Sequence, residues 1–232
     1  SMTEDEGFDE ALLDNPLGKW TVQEMVDIAL EHEPYFAPGE GWHYSDTAYE
    51  LLGMIIENVT GDKIEKEIQR RIIDELGLKN TSFPEGPEMT GEYSHGYVDR
   101  DGTLVDYTET DPSAPWAGGA IISNLDDLKL WAKALADGTL LSTAIQRERL
   151  TWVDMPGLER FDGKYGLGIS SLGGFIGHNG EILGYNSAMY YLPSKDATVV
   201  VLLNKCRPGH ESPADVVFLH IAKILFPHEV PW

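Results

Sequence analysis

The sequence predicts an α+β protein in which an antiparallel sheet is covered by helices and preceded by a helical region. Three observations carry this. Apolar residues in the first third recur at helical spacing, short β-rich runs fill the stretch 165–203, and an apolar helix follows them near the C-terminus. With 232 residues, 42% of them hydrophobic, the chain can bury a sizeable core, and length permits one large domain or two small ones.

Taken in order, Thr21-Val22-Gln23-Glu24 forms a capping box that opens a helix through His32, which Pro34 ends. Asp46 opens the clearest helix. Its apolar stripe of Ala48, Leu51, Leu52, Ile55, Ile56 and Val59 is expected to be buried, and Gly61 follows its end. A third amphipathic helix spans about 62–76 and closes at Gly77. Over 80–120 the density of Pro, Gly, Thr and Asp predicts irregular structure with one hairpin, Tyr97-Val98 against Leu104-Val105 around Asp101-Gly102.

Asn124 is expected to cap a helix ending near Gly138, and Ser142 to begin a shorter one. The period then becomes strand-like over 165–172, 174–178, 185–192 and 198–203, which predicts consecutive antiparallel strands. Ser212-Pro213 starts the last helix. Its apolar set, Val216, Val217, Leu219, Ile221, Ala222 and Leu225, is expected to cover one face of the sheet before Pro227.

A formal net charge of −22 argues against nucleic acid and anionic membrane surfaces as partners, because binding there depends on clustered Lys and Arg. The acidity is spread along the chain and reads as a solvated surface. No apolar run approaches the roughly 20 residues of a membrane-spanning helix, so no membrane insertion is expected. The N-terminus has neither a basic nor an apolar export region, and Ser1-Met2 looks like a cloning remnant. The single cysteine, Cys206, has no internal disulfide partner. His32, His43, His95, His210, His220 and His228 show no metal-ligating spacing, and no Gly-rich phosphate loop is present, so neither a metal nor another cofactor is expected.

Two segments carry candidate chemistry. The first, Pro38-Gly39-Glu40-Gly41-Trp42-His43-Tyr44-Ser45-Asp46, delivers a tyrosine and a carboxylate at the mouth of a helix. The second, Gly177-His178-Asn179-Gly180-Glu181, lies in a β-run whose glycines permit close backbone approach. Each residue also has an ordinary reading. Asp46 suits a helix N-cap as well as a ligand contact, Tyr44 suits packing as well as proton transfer, and His178 suits a plain strand position. Trp116 fits core and cleft equally, and Gly118-Gly119 fits a tight turn.

The order and wording of these segments resemble the β-lactamase-like serine hydrolase family of β-lactamases, D-Ala-D-Ala carboxypeptidases, D-aminopeptidases and related esterases. The resemblance covers roughly residues 20–226. The stretch 38–61 is similar to the surroundings of the family's Tyr-x-Asn motif, and His178-Asn179-Gly180 to its Lys/His-x-Gly motif. The stretch 116–128, Tyr165-Gly166-Leu167-Gly168 and the hairpin 184–203 also match.

The resemblance implies a truncated β-lactamase/transpeptidase-like fold and a catalytic pair of Tyr44 and His178. Asp46, Trp116, Asn179, Gly180 and Glu181 would line the substrate, with the Glu181 N–H near an oxyanion donor. Asp46 stands where the family has Asn, which tilts the expectation towards ester or D-amino-acid substrates. His178 stands for Lys and loses its charge near pH 6.5.

The family's Ser-x-x-Lys nucleophile motif is absent. No lysine has a serine three positions earlier, and Thr60-Gly61-Asp62-Lys63 is the nearest imitation. In the family that motif precedes everything matched here, so truncation is the expected reason. Residues 1–19 then read as a tail or cloning remnant and 20–232 as a partial catalytic domain. This domain divides into a helical region over about 20–85, cleft loops over 86–123, and helices with the sheet over 124–232. The implied parent is a serine hydrolase of β-lactams, D-amino-acid peptides or small esters, with a bacterial envelope or secreted location. This chain alone is expected to be inactive, completed by a missing N-terminal segment or a swapped homodimer. The alternative is a non-catalytic binding module.

Overall fold

A computed structural model of the chain describes residues 1–206 and 212–230; His210 lies outside them. A 3₁₀ turn, Met2–Glu4, leads into helix α1 (Glu6–Asp14), where the Asp5 side chain accepts the Phe8 N–H. Helix α2 (Val22–Leu30) opens on the expected capping box, Thr21 and Glu24, and ends short of His32. Met2, Phe8 and Met25 bury one another between these helices, so the stretch read as a tail or remnant holds packed helical structure.

Helix α3 (Asp46–Thr60) ends at Gly61, whose φ of 75° suits a left-handed C-cap. The third expected helix is interrupted. It runs as α4 (Ile64–Ile68), a π-type turn (Gln69–Ile73) and α5 (Asp74–Leu76). Strands β1 (Tyr97–Arg100) and β2 (Thr103–Asp106) form the expected hairpin, with positive φ at both Asp101 and Gly102. The short helix α6 (Trp116–Gly119) follows. Helix α7 (Leu125–Asp137) is capped by Asn124 as expected, and α8 (Thr143–Arg149) by Ser142.

The main sheet has strands β3 (Val153–Asp154), β4 (Gly163–Tyr165), β5 (Ser170–Leu172), β6 (Phe175–Ile182), β7 (Tyr185–Leu192) and β8 (Ala197–Leu203). They lie in sequence order with every neighbour antiparallel. The run expected at 165–172 is split between β4 and β5. Gly168, at φ 67°, and the Gly166 N–H bond to the Ile169 carbonyl turn the chain between them. Strand β9 (Lys205–Cys206) leaves this sheet and pairs parallel with β1.

Side-chain alternation along β7 sorts the core into two layers. Ala188, Tyr190 and Leu192 meet helix α9 (Pro213–Leu225), whereas Met189 and Tyr191 meet Ala132, Leu135 and Ala136 of α7. On α9 the buried stripe is Ala214, Phe218 and Ala222, spaced four apart. The expected set is therefore off-centre: Val217 and Leu225 are exposed, and Phe218, absent from that set, is fully buried.

The expectation for α3 is overturned. Leu51, Leu52, Ile55, Ile56 and Val59 are exposed, and the buried positions are Thr47, Glu50 and Gly53. Contact with α6 turns this face inward. A Cβ on Gly53 would lie 2.6 Å from the Ala117 Cβ, so only glycine permits the approach.

Candidate active site

Three elements converge on one aromatic cluster. Tyr44 sits at the entry to α3, Tyr49 one turn along it, Tyr165 at the end of β4 and His178 in the middle of β6. The Tyr49 and Tyr165 hydroxyls are 2.6 Å apart, and the Tyr165 hydroxyl lies 2.9 Å from His178 Nε2. His178 Nδ1 is 2.7 Å from the Asn179 carbonyl oxygen, which can only accept. Nδ1 therefore carries the proton and Nε2 accepts from Tyr165, leaving Tyr49 as donor to Tyr165. Tyr44 completes the group by ring contact, its centroid 5.7 Å from Tyr49, 6.0 Å from Tyr165 and 5.8 Å from His178.

Burial keeps all four groups neutral. It raises Tyr44, with the Asp46 carboxylate adding to the effect, and raises Tyr165, with Tyr49 adding. Burial lowers His178 despite the opposing pull of the Asn179 carbonyl and Asp46. Tyr49 is also raised by burial, against which Tyr165 and the Arg149 guanidinium act in the other direction. Burial in turn lowers Arg149.

The remaining expected residues divide. Asp46 is the first helical residue and not the N-cap, which is Ser45. Its Oδ2 accepts from Thr3 Oγ1 at 2.6 Å, so the N-terminal turn covers it. Asn179 donates from Nδ2 to Asp215 of α9 at 2.7 Å and is drawn away from the cluster. Trp116 packs its ring on Gly53, half-buried, which places it against α3. Gly180 keeps β6 close to Ser187, where a Cβ would meet the hydroxyl at 2.8 Å. Glu181 accepts from Asn186 Nδ2 at 2.8 Å and borders a cavity with Asp46. Among the described residues, β6 past Gly177 is paired with β7 on one side only, because β5 ends opposite that residue. The segment 178–182 thus presents an open strand edge beside the cluster.

Sequence reasoning missed Tyr49, Tyr165, Glu50 and Arg149. Tyr165 had a signal, since it heads the Tyr-Gly-Leu-Gly run, and Glu50 had one as a carboxylate four residues after Asp46 on an apolar helix. Arg149 had none.

Residues 3–222 match the family model described as Beta-lactamase. The chain belongs to the Beta-lactamase family. Among similar solved structures, a D-stereospecific amidohydrolase from Streptomyces sp. superposes with a TM-score of 0.83 at 32% identity, over 88% of this chain and 64% of that one. A D-amino acid amidase from Ochrobactrum anthropi SV3, complexed with L-phenylalanine amide, gives 0.75 at 28%, over 90% and 63%. A Bacillus subtilis penicillin-binding protein is 27% identical over 90% of this chain and 50% of its own length. This Beta-lactamase family chain thus spans about half the length of that relative. Among its described residues no helix is long and apolar enough to cross a membrane, and no group of three or more His, Cys, Asp or Glu is placed to hold a metal ion.

Proposed function

We propose that the chain supplies one wall of a serine hydrolase site working through an acyl-enzyme, and that a Ser-x-x-Lys segment, in the same polypeptide or another, supplies the nucleophile. The substrate class is a D-amino-acid amide or peptide, a β-lactam or a small ester. The similar amidohydrolase and D-amino acid amidase favour the first of these. The observation that carries the reading is the Tyr49–Tyr165–His178 relay with Tyr44 beside it, set against the open edge of β6.

Alone, that relay is idle. A tyrosine working as base near neutrality must drop about three units from about 10, or about 4 kcal/mol. Burial moves Tyr44 the opposite way. One cation about 4 Å away at an effective dielectric of about 20 supplies an energy of the required size. A lysine in the added segment is the natural source. Tyr44 would then take the serine proton, and the β6 edge would align the carbonyl being attacked.

Intact mass after incubation with a fluorophosphonate and, separately, a penicillin tests this. No adduct on the chain alone, with adduct and hydrolysis appearing once a Ser-x-x-Lys segment is added, supports the reading. An adduct on the folded chain alone sinks it. A second reading, a non-catalytic interaction module, is favoured by the exposed apolar face of α3. Monomeric folding with no gain of hydrolysis on adding the segment would favour that module.

A further inference from the structure

Beside the tyrosine cluster lies a cavity of about 300 Å³, at the lower end of the range for ligand pockets. Four carboxylates of the described residues line it: Asp9 on α1, Asp46 and Glu50 on α3, and Glu181 on β6. Among the described residues no Lys, Arg or His lines it. Asp9 and Glu181 are exposed at its mouth, and Glu50 is fully buried at its floor.

Glu50 is the unusual member. Its Oε1 accepts the Gly118 N–H at 3.3 Å, an approach that glycine permits, since a Cβ at 118 would sit 3.2 Å from that oxygen. Its Oε2 is buried and makes no hydrogen bond among the described residues, although the Ala117 N–H also pulls on the carboxylate. A buried oxygen without a donor costs about 1–3 kcal/mol, more if charged, and protonating it only replaces an unmet acceptor with an unmet donor. The occupant that resolves this brings positive charge and its own N–H groups. A bare metal ion is a poor fit, because no three acidic, His or Cys residues among those described gather closely enough to ligate one. Met2, Phe8 and Leu12 add apolar wall on the α1 side.

We propose that this cavity binds a primary ammonium group, held by the Glu50 carboxylate, whose side chain turns to bring Oε2 out of its buried position, with Asp46 beside it and its carbon chain lying against Met2, Phe8 and Leu12. Two sources carry that group: the α-ammonium of an amino-acid amide and the side chain of a lysine. Binding here does not depend on acyl transfer. An amine that binds without turnover supports the site and leaves the hydrolase reading untouched, and turnover with no dependence on Glu50 does the reverse.

The test is titration of the whole chain, followed by the Gly118 amide in ¹⁵N-resolved NMR, with n-butylammonium, D-phenylalanine amide and N-acetyl-lysine methylamide as probes and 1-butanol as the neutral control. At least one amine shifts Gly118 and 1-butanol does not; which of the last two amines binds tighter assigns the source. Glu50→Gln, checked for folding by circular dichroism, weakens binding about ten-fold or more, and Asp46→Asn weakens it less. Burial raises Glu50 to about 8, and Asp46 adds to this. Binding must therefore expel its proton, and the affinity of n-butylammonium, which stays charged throughout, rises by nearly ten-fold from about pH 6 to pH 7 and levels off above about pH 8, whereas the α-ammonium of D-phenylalanine amide titrates in the same range and gains less. Asp46, Asp9, Glu181 and Cys206 also face the cavity, and Glu50→Gln isolates the contribution of Glu50 from theirs. Equal binding of 1-butanol, equal binding by the Glu50→Gln chain, or no amine binding would overturn the proposal.

Discussion

Helices α9 and α3 carry apolar residues at the same helical spacing, yet they meet opposite fates. On α9, Ala214, Phe218 and Ala222 are fully buried against Phe175, Tyr190 and Leu192 of the sheet, and Phe218 stacks on Tyr190 at 4.3 Å. On α3 the order is inverted: Ile55 and Val59 are 55% and 79% exposed, whereas Glu50 is fully buried. The α9 stripe finds its partner surface in the neighbouring strands. The α3 stripe faces solvent because the contacts with α6 and with the N-terminal turn are made by its small and polar face. Spacing therefore reports that a segment is helical; it does not report what the apolar face meets.

The comparison is sharpened first at its strongest point. Phe218→Ala should cost about 3–5 kcal/mol in urea unfolding, since it empties the centre of the α9 layer. A loss below about 1 kcal/mol would mean that this layer is not the organising core. Glu50 gives the next effect. Its pKa is about 8 in the fold against 4.5 as the ordinary value, so the fold holds that proton more tightly than the unfolded chain does. Its contribution is full below about pH 4.5 and is lost as pH rises through 8, on the order of 3 kcal/mol. Stability measured at pH 5 and pH 8.5 should show the fall, and Glu50→Gln should flatten that part of it.

Tyr165→Phe deletes both the bond from Tyr49 and the bond to His178, and should cost about 1–2 kcal/mol in the same assay. An unchanged midpoint would break the relay assignment. The smallest effect belongs to α3. Ile55→Ser or Val59→Ser should stay within about 0.5 kcal/mol in the monomer, as exposed positions do. A loss several times larger that grows with protein concentration would show that a second copy covers this face.

Much of the fold was legible because its signals are local. The box at Thr21 and Glu24, the Asn124 cap, the Asp101-Gly102 turn and the β7–β8 pair each rest on residues a few positions apart. Of the candidate cluster, the sequence singled out only Tyr44 and His178. Tyr49 and Tyr165, whose hydroxyls meet at 2.6 Å, are 116 residues apart, and no local pattern encodes such a contact. Asp46 read as a cap because an acidic residue precedes an apolar helix, but Ser45 occupies that position and the Asp46 carboxylate is taken by Thr3.

By itself the sequence determined most of the helices and strands, the antiparallel order of the main sheet and the family, since these follow from periodicity, capping chemistry and motif order, but not helix α1, the break in the third helix or strand β9. The tertiary structure alone decided that α3 turns its polar face inward and leaves Glu50 Oε2 without a hydrogen bond among the described residues, beside an acidic cavity. It also decided that one imidazole and three phenols stay neutral together. The physical reason is common to both: desolvation depends on what surrounds a group in space, and neighbours along the chain do not specify it.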